Sequence, residues 1–181
     1  MKVYIFFADG FEETEALCPW DLLKRAGAEV VSVSVNADRK VKGSHGLIMA
    51  TDITTARLPE NPEGEIMVVL PGGMPGAVNL DGNKFVDKYV DYASKNGHLA
   101  AICAAPFILG KRGLLAGKVA TCFPGFENEL YGAAISHNKV VTNGNITTAK
   151  GMGVAFDFGI ELIRVLFGEE KANEIKAQVQ A

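Results

Sequence analysis

The heptapeptide Ala100-Ala101-Ile102-Cys103-Ala104-Ala105-Pro106 places a thiol at the break between an apolar strand and a helix. Leu99 to Ile102 suits a buried strand, and Pro106 suits the first turn of a helix, where a missing N–H costs nothing. A cysteine at such a junction faces backbone N–H groups and the positive end of a helix dipole. That predicts a lowered thiol pKa and a nucleophilic thiolate. The plainer reading of Cys103 is a small buried hydrophobe. Cys18 and Cys122 read as core residues, and three cysteines without paired spacing predict free thiols rather than disulfides or a zinc site.

A second group lies near the N-terminus, where Glu12, Glu13 and Glu15 open the first helix. Pro19 cannot donate to the carbonyl of Glu15, so a kink is expected there that turns the carboxylate toward a ligand crevice. A carboxyl buried beside a thiolate has a raised pKa and can donate to sulfur or act as general acid and base. Alternatively, the glutamates only complement the helix dipole. Gly72 and Gly73 offer unobstructed backbone N–H groups to an oxygen gaining negative charge, although a Pro-Gly-Gly turn also arises for geometric reasons alone.

Strand-like and helix-like segments alternate along the chain, which predicts an α/β fold with a parallel sheet covered on both faces. Strands are expected at Val3–Ala8, Glu29–Val35, Ile66–Leu70, Leu99–Ile102, Lys118–Cys122, Val140–Asn143 and Ile146–Ala149. Helices are expected at Glu12–Ala26, around Phe85–Ala93, at Phe126–Tyr131, at Val154–Phe167 and at Glu169–Gln178. In the first helix, Ala16, Leu17, Trp20 and Leu23 are expected on one side. Lys40 to Ile53, with Gly43-Ser44-His45-Gly46 inside it, reads as a hairpin or small added ribbon. In an open parallel sheet the strand exits share one crevice, which brings together residues 9–15, 71–76 and 103–105.

With 181 residues, 48% of them hydrophobic and 22% charged, a single domain spanning 1–181 is expected. The net charge of −3 and the absence of a lysine or arginine cluster make nucleic acid an unlikely partner. The apolar stretch Leu99–Gly110 falls short of the roughly 20 residues needed to span a bilayer, so no membrane segment is expected. The N-terminus turns acidic too soon for a signal peptide, so a cytoplasmic location is expected.

Taken together, Gly10-Phe11-Glu12-Glu13-Thr14-Glu15, Arg25-Ala26-Gly27, Leu70-Pro71-Gly72-Gly73 and the Cys103 heptapeptide resemble the ThiJ/PfpI superfamily. The nearest branch is that of the parkinsonism-associated DJ-one and its bacterial relatives. The resemblance covers essentially the whole chain and implies a flavodoxin-like three-layer sandwich with a mostly parallel central sheet and a small added β-ribbon. It further implies a homodimer, a reactive Cys103, a protonated Glu15 and backbone oxyanion binding around Gly72, Gly73 and Ala104. No cofactor and no metal are expected.

Two departures narrow the chemistry. Ala104 stands where the peptidase branch carries a histidine, which disfavours a Cys-His protease. Phe123 stands where several relatives place a histidine after the following strand. His45, His98 and His137 match neither place, while His45 lies in the ribbon where near relatives often carry a basic residue. His45, Arg25 and Phe123 are therefore candidate pocket residues, His45 with an ordinary turn role as the alternative. The function expected from the resemblance is a stress-response enzyme acting on reactive dicarbonyls, of glyoxalase or protein deglycase type. Its substrates would be small dicarbonyls or glycated proteins. The alternatives are a redox sensor or chaperone in which Cys103 is oxidised, and a PfpI-like hydrolase or peptidase.

Overall fold

The computed structural model describes residues 1–181. In chain order the regular elements begin with β1 (Lys2–Phe7), α1 (Glu13–Arg25), β2 (Glu29–Ser34), β3 (Lys40–Lys42), β4 (Ile48–Ala50) and β5 (Ile53–Thr54). Next come β6 (Ile66–Leu70), α2 (Gly76–Leu80), α3 (Lys84–Asn96), β7 (Gly97–Ile102) and α4 (Pro106–Lys111). The chain ends with β8 (Val119–Ala120), β9 (Ala134–Ile135), β10 (Val140–Asn143), β11 (Ile146–Ala149), α5 (Ala155–Phe167) and α6 (Glu169–Gln178).

The central sheet has the order β10-β11-β7-β6-β1-β2-β5 and is parallel throughout except for the antiparallel pair β10-β11. Its middle strands are apolar on both faces because both are covered. Val3, Ile5 and Phe7 of β1 enter a core shared with α1, α5 and α6, while Tyr4 and Phe6 enter another shared with α2, α3 and α4. The two cores hold 23 and 25 buried residues, so neither face of the sheet is left to solvent. This is the flavodoxin-like sandwich, with β3 and β4 forming the small antiparallel ribbon.

Four local expectations change. The segment 118–122 does not join the central sheet; only Val119–Ala120 is strand, paired with β9 in a separate two-stranded sheet. The segment 126–131 contains a short 3₁₀ turn, Glu127–Glu129, in place of an α-helix. Ile53 leaves the ribbon and pairs with Val33 at the edge of the central sheet. The buried stripe of α1 runs through Glu15, Ala16, Pro19, Leu22 and Leu23, whereas Leu17 and Trp20 are only partly buried. The helix continues across Pro19, and Glu15 faces inward because its position belongs to that stripe.

Candidate active site

Alternation along β7 sends Leu99 and Ala101 to the core under α3 and α4, and Ala100 and Ile102 to the core under α1. Continued alternation would point Cys103 away from α1. Instead Cys103 adopts φ +65°, a left-handed conformation that side-chain-bearing residues rarely take, and its side chain packs on the α1 side. Neighbouring segments hold that conformation in place. The Cys103 N–H donates to the Ala149 carbonyl at 2.9 Å, and its carbonyl accepts from the Phe123 N–H at 2.8 Å.

The three strand exits meet as expected. The Glu12 N–H donates to the Gly72 carbonyl at 3.0 Å, and the Gly76 N–H donates to the Gly10 carbonyl at 3.2 Å. Glu12 also caps α1, its carboxylate accepting from the Glu15 N–H at 2.7 Å. Glu15 is 1% exposed, and its carboxyl lies beside the Cys103 side chain. It accepts from the Gly72 N–H at 3.1 Å, and the Met152 amide lies on its other side, favouring the charged form. A Cβ on Gly72 would lie 2.5 Å from the Glu15 carboxylate and 2.6 Å from Cβ of Cys103, so only glycine lets the two functional side chains close on each other. Gly73 sits at φ +88° with no room for a side chain beside the Glu12 backbone.

The electrostatics differ from the sequence expectation in one respect. Burial raises the Glu15 carboxyl to about 7, against the opposing hydrogen bonds from Cys103, Gly72 and Met152. Burial and the Glu15 charge also push the Cys103 thiol up, to about 12, while N–H groups of Gly73 and Ala104 aimed at the sulfur pull it down. The expected lowering by a helix dipole fails because α4 has only six residues and the sulfur lies in a largely dry, acidic corner. At neutral pH the sulfur is therefore a thiol beside a carboxyl poised to gain or lose its proton, in place of a free thiolate.

The remaining candidates separate. Gly73 and Ala104 point their amides at Cys103, whereas the Gly72 amide is already spent on Glu15 and is not free for an oxyanion. Phe123 is brought to the site; a Cβ on Gly151 would lie 3.2 Å from its ring and 3.8 Å from the Glu15 carboxylate. Arg25 is not. It sits in the last turn of α1, roughly 15 Å along the helix from Glu15 at 1.5 Å per residue, and pairs with Asp21 at 2.6 Å. His45 lies on the ribbon turn, where its Nδ1 and its backbone N–H each approach the Glu13 carboxylate at 2.8 Å. His98 is buried against the Thr147 hydroxyl at 2.8 Å, and His137 is exposed near Glu127.

Glu12, Glu13 and His45 offer ligand atoms within 4.8 Å of one another, but Glu13 and His45 spend theirs on each other. A hollow of about 460 Å³ between Arg39, Asp52 and Arg57 is lined by no thiol and no histidine, which leaves Cys103 as the candidate. The residue missed in sequence was Met152, whose amide lies beside Glu15. The Gly151-Met152-Gly153 run after a strand was the available signal.

The family model described as DJ-1/PfpI family matches residues 1–165. Protein dj-1beta of Drosophila melanogaster is 33% identical over 174 residues, covering 94% of this chain and 92% of that protein. The glutathione-independent glyoxalase DJ-1 of Schizosaccharomyces pombe is 30% identical over 184 residues, with 97% and 96% covered. Two Arabidopsis thaliana relatives, DJ-1 homologs A and B, are 37% and 38% identical, but the chain spans only 45% and 40% of their lengths. Among solved structures, oxidized Toxoplasma gondii DJ-1 superposes with a TM-score of 0.92 at 32% identity, covering 99% of this chain and 97% of that one.

Proposed function

Because the chain belongs to the DJ-1/PfpI family, we propose that it acts without a cofactor on reactive dicarbonyls, as a glyoxalase or protein deglycase, through Cys103 and Glu15. The observation that carries this reading is the pair itself, a thiol set against a buried carboxyl across Gly72, the carboxyl raised by burial to about 7. A group with that pKa moves protons in either direction at neutral pH. None of the three histidines occupies the site, which supports proton transfer by Glu15 over a Cys-His mechanism. The name of the fission-yeast relative points to the same substrate class.

With methylglyoxal, Glu15 as carboxylate takes the thiol proton while sulfur adds to the aldehyde carbon. A C–S bond forms, the carbonyl π pair moves to oxygen, and Glu15 returns the proton there to give a hemithioacetal. Glu15 then removes the hydrogen from that carbon as a proton and delivers it to the neighbouring carbon, while the proton of the hemithioacetal hydroxyl passes to the ketone oxygen, so that the first carbon becomes a carbonyl and the ketone an alcohol. The product is a thioester of a 2-hydroxy acid. Water cleaves the C–S bond, releasing lactate and the thiol. The oxidation of one carbon is balanced by reduction of its neighbour, so no external oxidant is needed. The Gly73 and Ala104 amides favour negative charge at the sulfur and on the oxygen attached beside it. On this reading the purified protein forms lactate from methylglyoxal and Cys103→Ala does not; equal rates for the two proteins would end it.

A second reading, oxidation of Cys103 to a sulfinate in a redox sensor, draws on the same two amides and on the oxidized Toxoplasma relative. Peptide mapping after mild peroxide tests it, since preferential oxidation at Cys18 or Cys122 would count against Cys103 as the sensor. The cytoplasmic location and the homodimer belong to this proposal as well. No helix is long and apolar enough to cross a membrane.

A further inference from the structure

A shallow groove of about 350 Å³ opens beside the Cys103–Glu15 pair, lined by Phe123, Pro124, Val154 and the segment 150–153, with almost no polar surface. Two large apolar side chains stand open to solvent in it, Phe123 at 47% and Met152 at 54% exposure. Exposed apolar residues scattered singly are ordinary, but two facing one hollow mark a binding surface. This hollow borders the Cys103–Glu15 pair through the residues that line it. Phe123 donates its N–H to the Cys103 carbonyl, and a Cβ on Gly151, next to Met152, would lie 3.2 Å from the Phe123 ring and 3.8 Å from the Glu15 carboxylate.

A dicarbonyl held with its aldehyde carbon at the Cys103 sulfur must direct the substituent on its second carbonyl somewhere. The acidic side is filled by Glu15, and the Gly72 side is closed by the 2.5 Å and 2.6 Å approaches that a single methyl would violate. The side left is the one bordered by Gly151 and the Phe123 ring, where the groove lies. It offers a ring and a thioether, both of which pack on aromatic or branched apolar groups. We infer that Phe123 and Met152 form the specificity wall of the site and select α-oxoaldehydes whose ketone carries an aryl or similarly bulky apolar substituent; this rests on the dicarbonyl reading above.

The test compares kcat/KM for phenylglyoxal and methylglyoxal in the parent, Phe123→Ala, Phe123→Leu and Met152→Ala, with circular dichroism to verify folding. Intrinsic reactivity differences between the two substrates cancel in the change of their ratio. The phenylglyoxal to methylglyoxal ratio should fall about tenfold in Phe123→Ala and less in Met152→Ala, with Phe123→Leu between Phe123→Ala and the parent. In parallel, the rate of Cys103 alkylation by phenacyl bromide relative to bromoacetone, located by peptide mapping, reads the same wall without turnover. If neither ratio moves by more than about twofold in any variant, the wall is wrong while turnover of methylglyoxal leaves the dicarbonyl reading standing. If no hydroxy acid forms but the alkylation ratio collapses in Phe123→Ala and Met152→Ala, the dicarbonyl reading falls and the wall stands.

Discussion

Glu13 and Glu15 lie two residues apart in the first turn of α1, yet the fold drives them in opposite directions. Glu15 sits on the buried stripe of the helix, and burial raises it to about 7. Glu13 sits one step around, toward the ribbon. Burial works against its charge too, but hydrogen bonds from the His45 ring, the His45 amide and Ser44 outweigh it and hold the carboxyl at about 2. Both groups have the favourable dipole of the same helix end, so the dipole cannot be what separates them. The difference comes from what each carboxyl meets: a thiol in a dry corner for one, a histidine and solvent for the other. One is placed to trade protons at neutral pH, the other to stay charged and anchor a turn.

The sharpest way to break this contrast is to remove the titrating oxygen from the buried member. Glu15→Gln keeps the size and most hydrogen bonds but cannot shuttle a proton, so methylglyoxal turnover should fall by at least about 100-fold. Glu15→Asp withdraws the carboxyl from Cys103 and should fall nearly as far. A Glu15→Gln enzyme within a few-fold of the parent would reduce Glu15 to a packing residue.

The outline of this arrangement was legible in the sequence, and its consequences were not. The continuous apolar runs at Ile66–Leu70 and Leu99–Ile102 identify central parallel strands because both faces are buried, and the cysteine after one of them marks the site. Local pattern misled at 118–122, a more polar strand-like run, of which Val119–Ala120 pair with β9 outside the central sheet. Pairing partners are non-local, and nothing within a short run encodes them. Arg25 belongs to a motif but lies turns away from Glu15 on the same helix, so membership in a pattern did not give proximity. The thiol pKa was misjudged because junction geometry is visible in sequence while desolvation and the charge of a partner are not.

A smaller effect concerns stability. Folded Glu15 keeps its proton up to about pH 7, whereas an unfolded glutamate releases it near the ordinary value of 4.5. Between those values folding takes up a proton, so stability falls as pH rises, by up to about 3 kcal/mol. The Cys103 thiol adds a second decline above pH 9, where the unfolded thiol ionises and the folded one does not. Glu13 works in the other sense, contributing stability above pH 4.5 that is lost as pH falls toward 2. Urea unfolding at pH 5 and pH 8 should therefore show the parent weakening while Glu15→Gln holds its stability. Equal slopes for the two proteins would mean that Glu15 is ionised in the fold.

The smallest effect sharpens the contrast from its exposed side. The His45 ring is raised above its ordinary pKa chiefly by its hydrogen bond to Glu13, and it is 75% exposed. Its pairing contributes fully below pH 6.5 and is lost as pH rises through the elevated folded value. Glu13→Gln should return the His45 ring toward pH 6.5 in a titration followed by NMR, and should loosen the ribbon turn at Ser44 and His45. Turnover should change by about threefold at most, because an exposed pair couples weakly to its surroundings. A loss as deep as that of Glu15→Gln would place the ribbon histidine within the chemistry, and two neighbouring carboxyls would then share one task. A normal turnover with a lowered His45 pKa would instead show that two glutamates on one helical turn can titrate independently when one faces the core and the other faces water.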